Sequence, residues 1–562
     1  MVELSVVVPT RGRPGRLGPS LRSLARQLPA GGTVEVLVVD DGSQHDVGPL
    51  VAASLPVARL IRQEHAGPGV ARNRGAQAAA GRILLFLDDD VVAADGLISA
   101  HLAAHAASGG IVGLGRLELA PLLTAGPLGG TMRQWWREHY SRLAAGSGRP
   151  TYMDCYSGNL SVARDAFRAC GGFGEDLAHS EDVELGFRLQ ELGLRFVYLP
   201  LARGYQRFDK GFGAYVAEAR ASGRAGLLLL HRHPAMLSTM PIGAYSQARP
   251  VERALRRVAL AAPRAAFTAM TALDPVLGRS RWHRGWYGFV RRAAYWCGVK
   301  SVVESRETWQ RLTSGTAIIA YHGFGERGEP PSAWVLPLQQ LEAQLAWLRR
   351  QGYSFIGLDE YLAHRRQHRL PPPRAVVVTI DDGYADLPQA LPILRRSGVP
   401  ATVFLVSRQV GGTNTWDRRG AQTGRPLLDW DEIRELDRNG MEFGAHSRNH
   451  RRLADLSASD MDDEIGGSRE DLEHELGHPV TAFAYPFGEV TPEITAAVGR
   501  AGFTAGLASR PAVNAAAQPD LQLQRIVVRG TDSLLKFALV LQTGDARWMR
   551  RFAIRRWLDR LR

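Results

Sequence analysis

The sequence predicts an α/β protein of two chemical halves separated by a basic helical middle. Three observations predict it. Short apolar runs alternate with helical patterns from the start, acidic turns close strands in both halves, and the section between them is rich in arginine, alanine and aromatic side chains. A length of 562 residues suits about three or four domains. With 45% hydrophobic and 22% charged residues the chain is ordinary for a folded protein, which excludes a disordered, collagen-like or disulfide-scaffold chain.

In the first half the strand runs are residues 4–8, 34–39, 57–61, 83–87 and 196–199. Strands alternating with helices give a largely parallel sheet, and ligands of such sheets bind beyond the carboxyl ends of the strands. Two of those ends are acidic: Asp40-Asp41-Gly42-Ser43 and Asp88-Asp89-Asp90. The first is equally well explained as turn chemistry. Three adjacent carboxylates repel one another unless a divalent cation neutralises them, and oxygen ligands suit Mg2+ or Mn2+, ions that often accompany a substrate diphosphate. Between the acidic turns, Gly67-Pro68-Gly69-Val70-Ala71-Arg72-Asn73-Arg74-Gly75 opens a helix whose two arginines can meet phosphate. Further on, Ser180 is expected to cap a helix whose first turn carries Glu181 and Asp182. That acidic pair is either capping chemistry or a general base presented to an acceptor hydroxyl.

Pro9-Thr10, the Asp-Asp-Gly-Ser turn, Ala71-Arg72-Asn73, the triple Asp and the late Glu-Asp together resemble family 2 glycosyltransferases of the GT-A fold, over about residues 3–230. The resemblance implies a nucleotide-sugar site at Thr10, Asp40, Asp41, Arg72, Asp88 and Asp90. Asp88 and Asp90 would hold Mg2+ or Mn2+, and Asp182 would be the base for inverting transfer. Thr10 is followed by Arg11-Gly12-Arg13 where many members have Tyr or Phe with Asn. No QxxRW motif is present, which argues against a processive synthase of the cellulose or chitin type.

The middle, residues 236–313, carries ten arginines between Arg249 and Arg292 together with Phe267, Trp282, Trp286, Tyr287, Phe289, Tyr295 and Trp296. Helices are expected over 251–262 and 281–299, broken at Pro263 and at Asp274-Pro275. The segment is either a solvated helical connector or a surface that sits on anionic lipid.

The second half opens on a strand, Ala317-Ile318-Ile319-Ala320-Tyr321-His322. The next residues, 323–328, match GxGxxG, but Pro330-Pro331 follows where a helix should receive the pyrophosphate, so a dinucleotide site is rejected. A buried strand over 375–380 ends in Asp381-Asp382-Gly383-Tyr384, and a run over 441–445 ends in His446-Ser447-Arg448-Asn449-His450. Histidines at i and i+4 can meet one metal if the segment forms a helical turn, and with an upstream carboxylate they make a two-His-one-carboxylate site with open positions. Such a site lowers the pKa of bound water toward about 7, and one Asp of the pair can ligate while its neighbour takes the proton.

Thr379-Ile380-Asp381-Asp382-Gly383, His446-xxx-His450 and Ala484-Tyr485-Pro486-Phe487-Gly488 resemble the polysaccharide deacetylases of carbohydrate esterase family 4, over about residues 316–530. The resemblance implies a distorted (β/α) barrel with Asp381 as general base and Asp382, His446 and His450 as ligands of Zn2+ or another divalent transition metal. The usual Arg of the third motif is missing, Phe483-Ala484 standing in its place. The late Leu-x-x-His is absent too, since Leu523-Gln524-Arg525-Ile526-Val527 ends without a histidine. Resemblance to the permuted branch of the family, which opens on a Tyr-His strand, brings His322 forward as the general acid.

The expected domains are therefore a transferase over 1–235, a basic helical connector over 236–313, a deacetylase over 314–545 and a basic amphipathic tail over 546–562. In the tail Ile554, Trp557, Leu558 and Leu561 form a helical stripe. Three lysines, Lys210, Lys300 and Lys536, leave 66 of the 69 basic residues as arginine; the net charge of +13 is spread rather than clustered, and no nucleic-acid partner is expected. Three cysteines make neither a zinc knuckle nor a disulfide framework and favour a reducing compartment. The start of the chain runs directly into a strand without a signal-peptide pattern, and no run of about 18 apolar residues occurs. The expectation is a cytoplasmic enzyme, peripheral on the membrane, that transfers a sugar from a nucleotide donor to a glycan or glycolipid acceptor and deacetylates an N-acetylhexosamine. Its rivals are a chain with only one active half and a non-catalytic carbohydrate-binding scaffold.

Overall fold

The computed structural model describes residues 2–29, 31–120, 126–146, 148–248, 250–325, 332–417 and 423–543. The tail helix expected over 546–562 lies outside the described residues, as does the second half of the rejected GxGxxG segment, 326–328. The chain gathers into two units, Met1–Leu229 with Leu255–Val302, and Leu230–Ala254 with Val303–Arg562. The stretch read as a connector is thus shared between them. Its helix His283–Lys300 packs tightly in the first unit because glycines let two helices touch. A Cβ on Gly298 would lie 2.0 Å from the carbonyl oxygen of Arg220, and one on Gly223 2.0 Å from that of Tyr295. Helix Pro263–Leu277 runs through Pro275, where a break was expected. Pro275 forfeits the bond its N–H would make to the Thr271 carbonyl, a loss confined to the last turn because the helix ends at Leu277.

The first unit holds an eight-stranded mixed sheet. Its strands are β1 (Leu4–Thr10), β2 (Val34–Asp41), β3 (Arg59–Gln63), β4 (Ile83–Leu87), β5 (Val91–Ala93), β6 (Ile111–Leu119), β7 (Asn159–Ala163) and β8 (Arg195–Gln206), in the order β3-β2-β1-β4-β7-β6-β8-β5. The first four strands run parallel, and β7 is antiparallel to both β4 and β6. Alternation sends Val6, Val8, Val36, Val38 and Leu85 to one face and Val7, Leu37, Val39, Leu84 and Phe86 to the other, and each face has its own buried core. Helix Pro68–Ala78 lies close on this sheet because Gly75 has no side chain: a Cβ there would meet Val7 Cγ1 at 2.4 Å. The register Thr10↔Asp40 sets the ends of β1 and β2 side by side.

The second unit is a parallel barrel. Its strands are β9 (Ala317–Tyr321), β10 (Gly323–Gly325), β11 (Val335–Pro337), β12 (Ser354–Phe355), β13 (Ala375–Asp382), β14 (Ala401–Leu405), β15 (Glu442–Ala445), β16 (Ala482–Ala484), β17 (Ala505–Ala508), β18 (Leu523–Gln524) and β19 (Ile526–Val527). The main sheet runs β18-β17-β16-β15-β14-β13-β9-β19, with β12 beside β13, while β10 and β11 pair apart from it. The two ends of that order, β18 and β19, are separated only by Arg525. The segment 523–527 therefore pairs with β17 through its first half and with β9 through its second, nearly closing the sheet. One core, with Ile318, Val377, Phe404, Ala484, Leu507 and Leu523, fills the inside; another, with Ile319, Val378, Ile380, Leu405 and Ile526, packs under the surrounding helices. Each fully buried side chain of this kind contributes about 1.5–3 kcal/mol. Asp382 pairs with Leu405, Leu405 with Ala445 and Ala445 with Phe483, so the carboxyl ends of β13 to β16 open on one rim.

Candidate active sites

In the first unit Thr10, Asp41, Arg72 and Asp88-Asp89-Asp90 line one cleft of about 320 Å³. Asp41 is held by the loop after β3. Its Oδ1 accepts from Gln63 Nε2 and the Ala66 amide, each at 2.8 Å, and its Oδ2 from His65 Nδ1 at 2.8 Å and the Gly67 amide at 3.0 Å. Burial pushes Asp41 up, and these bonds outweigh it, holding the carboxyl below its ordinary value. Asp40 accepts from the Ser43 amide at 3.1 Å and from the Ser43 hydroxyl. Thr10 donates to Asp89 Oδ2 at 2.7 Å, which spends its hydroxyl on the middle Asp of the triple.

Arg72, expected to meet phosphate, is buried and bridges two acids of the same site. Its Nη2 reaches Asp88 Oδ1 at 2.7 Å and its Nη1 reaches Glu181 Oε1 at 3.0 Å. The next residue, Asn73, clasps the backbone of Phe173 from both sides, donating to its carbonyl at 2.9 Å and accepting from its amide at 2.8 Å. Arg72 and Asn73 together fasten the segment that leads to Asp182, while Arg74 is exposed. Asp182 is half-buried at the head of helix Glu181–Glu191, with its Oδ1 accepting from the Val183 amide at 2.8 Å. Burial, and then the charge of Glu181, push its pKa up to about 7. Ser180 does not cap that helix: at φ 63° it is left-handed and makes no side-chain cap bond, whereas capping side chains reach back from extended backbone.

Asp90 accepts from Gln206 Nε2 at 3.0 Å and pairs with Arg16 Nη1 at 3.3 Å. Burial, then the neighbouring Asp88 charge, push its pKa up to about 6. Asp88 and Asp90 are like charges close together that offer only oxygen, a pair that fits a hard divalent cation.

In the second unit Asp382, His446 and His450 converge on the rim. Asp382 Oδ1 lies 3.6 Å from His446 Nε2 and 3.7 Å from His450 Nε2, and those two nitrogens are 3.2 Å apart. Among the described residues they form a buried group of ligand atoms within 4.8 Å of one another. The residues fit a metal on their own evidence. Asp382 Oδ1 is buried with no hydrogen-bond partner, and burial followed by the charge of Asp381 pushes Asp382 well up. His446 Nδ1 donates to the Ala484 carbonyl at 2.8 Å, which leaves Nε2 as the lone-pair nitrogen facing Asp382. Burial pulls both histidines below their ordinary pKa, into the neutral form a ligand needs.

The histidines are not brought together by a helical turn, as the i, i+4 spacing suggested. Residues 446–450 form a loop in which Ser447 and His450 take φ of 63° and 55°. It is pinned by the His450 amide donating to Ser447 Oγ at 3.0 Å and by buried Glu464, whose oxygens accept from the Asn449 amide and side chain at 2.9 and 2.8 Å. Strained backbone of this kind costs about 1–3 kcal/mol per residue and persists where the surroundings enforce it.

Asp381 carries the residue that the sequence reading missed. Arg525, fully buried inside the barrel, grips it with both nitrogens, Nη1 to Oδ1 at 2.6 Å and Nη2 to Oδ2 at 2.8 Å. Burial would raise Asp381, but Arg525 outweighs it and holds the pKa down to about 2. A signal was present: alternation along 523–527 puts Leu523 and Arg525 on one face, and an arginine inside a barrel requires an acid. His322 Nε2 lies 3.9 Å from Asp381 Oδ2, and its ring packs 4.8 Å from Trp334. Burial, opposed by Asp381, pulls His322 down to about 4, so it is neutral at pH 7. Trp416 stacks on His450 at 4.7 Å, and Phe487, left-handed and half exposed, meets the same ring edge-on at 4.7 Å.

Comparison with known proteins gives two families, one for each site. Residues 5–171 match the model of glycosyl transferase family 2, and residues 368–506 match that of polysaccharide deacetylase. YxkH of Bacillus subtilis, described as a polysaccharide deacetylase, is 25% identical over 212 residues, covering 38% of this chain and 70% of its own. The validoxylamine A glucosyltransferase of Streptomyces hygroscopicus subsp. limoneus is 32% identical over 219 residues, covering 34% of this chain and 48% of its own. The poly-beta-1,6-N-acetyl-D-glucosamine N-deacetylase of Staphylococcus epidermidis is 25% identical over 178 residues, covering 30% of this chain and 59% of its own. The chain thus spans about half the length of the transferase relative and well over half that of each deacetylase relative.

Proposed function

We propose that this chain, which joins a glycosyl transferase family 2 domain to a polysaccharide deacetylase domain, is a bifunctional carbohydrate enzyme. It transfers a sugar from a nucleotide donor with inversion, and it removes acetyl groups from an N-acetylhexosamine in a glycan or glycolipid. The observation that carries the reading is that both halves keep a complete set of charged groups. One has Asp88, Asp90 and Asp182; the other has Asp381 beside the Asp382, His446 and His450 cluster.

In the transferase, Asp88 and Asp90 would hold Mg2+ or Mn2+, which when bound would neutralise the donor diphosphate. Asp182, lifted to about 7, accepts the proton of the acceptor hydroxyl as that oxygen attacks the donor sugar from the face opposite the leaving nucleotide. One such displacement inverts the sugar. The absence of QxxRW supports a non-processive enzyme.

In the deacetylase, Asp382, His446 and His450 would hold Zn2+ or a similar transition metal, a reading supported by their convergence, and the metal would polarise the acetamide carbonyl and acidify water. Asp381, kept ionised and oriented by Arg525, takes the proton of the attacking water. His322, neutral and 3.9 Å from Asp381, takes that proton over from the carboxyl and delivers it to the departing amine, which leaves Asp381 ionised again. Trp334, Trp416 and Phe487 supply flat apolar walls suited to a sugar face. The staphylococcal relative, an N-deacetylase of poly-beta-1,6-N-acetyl-D-glucosamine by name, supports an N-acetylhexosamine substrate. Use of a nucleotide sugar supports a cytoplasmic setting. The test is a panel of nucleotide sugars assayed for donor turnover, with acetate release from N-acetylglucosamine oligomers measured on the same preparation. Turnover of no donor, or no acetate released, removes the corresponding half.

A further inference from the structure

Within the first unit, residues 255–284 expose an apolar stripe that the catalytic reading does not use. On helix Pro263–Leu277, Phe267 and Met270 face inward, while Ala265, Ala269, Ala272, Leu273 and Val276 are exposed at i, i+4, i+7, i+8 and i+11, one continuous helical face. The helix before it, Pro250–Ala261, also exposes Leu255 and Val258, and Ala262 is exposed at the break between the two helices. Leu255, Val258, Leu273, Val276 and Trp282 are between 48% and 68% exposed. That is unusual, because a large apolar face on a folded chain normally meets something.

The charges around the stripe say what. Arg257, Arg264 and Arg281 are exposed, and none has a carboxylate partner among the described residues; Arg281 lies over the Trp282 ring at 4.8 Å. The only acid between 255 and 284 is Asp274, which is half-buried and accepts from Trp286 Nε1 at 2.9 Å. A face that is apolar and cationic, carries an exposed tryptophan and has its one exposed carboxylate neighbour among the described residues, Glu138, already paired with Arg284 at 2.7 Å complements an anionic lipid surface, where apolar groups enter the acyl boundary and guanidinium groups meet phosphate. No helix of the described residues is long and apolar enough to cross a membrane.

We infer that this stripe is a docking surface for an anionic bilayer, laid on the surface rather than through it. The inference rests on the surface alone and not on the catalytic reading. The test uses the full chain and large vesicles, either pure phosphatidylcholine or phosphatidylcholine with about one third phosphatidylglycerol, in co-sedimentation. Binding is expected only to the anionic vesicles and is expected to weaken at about 0.5 M salt, where the screening length shrinks to about 4 Å. The variant Arg257→Gln/Arg264→Gln/Arg281→Gln should partition about 100-fold more weakly, roughly fivefold for each arginine. Val258→Asp/Val276→Asp should also lose binding, and both variants should keep the parent melting temperature because every altered side chain is exposed. Equal binding to the two vesicle types, or variants that bind as the parent does, would overturn the inference. So would a dimer in sedimentation velocity that Val258→Asp/Val276→Asp dissociates, since the stripe would then be covered by a second copy.

Discussion

Replacing Arg525 with Met removes both donors from Asp381 while keeping an apolar side chain of similar length inside the barrel. The carboxylate is then left buried without its partner, a loss of about 3–5 kcal/mol. The depressed pKa gives the same order. A fall from 3.8 to about 2 corresponds to roughly 2–3 kcal/mol. Because the folded pKa is the lower one, that stabilisation is complete above pH 3.8 and is lost as pH falls toward 2, so the whole of it is present at neutral pH. For a unit of this size the melting transition should drop by about 6–20 °C. Acetate release should fall about 10–100-fold in kcat/KM, the usual cost of losing a partner that orients an active-site group. Arg525→Lys keeps the charge but not the two-pronged grip and should fall between the parent and Arg525→Met. Arg525→Met/Asp381→Asn should regain most of the stability, because no unpaired charge remains, and none of the activity. Thermal melting and acetate release on the four proteins read this out. If Arg525→Met melts within about 2 °C of the parent and turns over normally, Arg525 is not what holds Asp381.

The transferase should show a base limb set by Asp182. With its pKa at about 7 the carboxyl is protonated in acid, so kcat/KM for sugar transfer should rise with pH through about 7 and then level off; a rate flat from pH 5.5 to 8 counts against Asp182 as the base. His322→Ala should lower deacetylation by roughly two to four orders of magnitude with metal content unchanged, and near-normal turnover would remove His322 from the proton path. His446→Ala should lose the transition metal of the purified protein and the acetate release together, while sugar transfer with Mg2+ or Mn2+ continues. Elemental analysis that finds equal transition metal in parent and variant would contradict the ligand set.

Much of this was legible because the candidate site residues follow strands. Thr10, Asp40, Asp88, Asp381 and His446 all sit at or just beyond strand ends, and a period of two or a buried run marks such ends in a sequence. What escaped was pairing across distance. Arg72 lies one turn into a helix, where phosphate is the natural local expectation, and only the folded sheet brings Asp88 and Glu181 to it from 16 and 109 residues away. Arg525 lies 144 residues from Asp381, in a segment where the resembled family carries a histidine and this chain does not. Backbone detail escaped as well. The spacing of His446 and His450 allowed a helical turn, and the choice of a left-handed loop depends on Glu464, which belongs to a separate helix. Ser180 failed as a cap for the same reason, since φ is set by how the preceding loop is fastened rather than by the residue type.

The central claim is that one chain carries two independent chemistries, and reciprocal inactivation tests it most directly. Sugar transfer and acetate release are measured on the same preparations of the parent, Asp182→Asn and Asp381→Asn, with melting transitions to confirm folding. Asp182→Asn should abolish transfer and leave acetate release at the parental rate, and Asp381→Asn should do the reverse. A folded variant of either kind that loses both activities, or one that loses neither, contradicts two sites with separate bases.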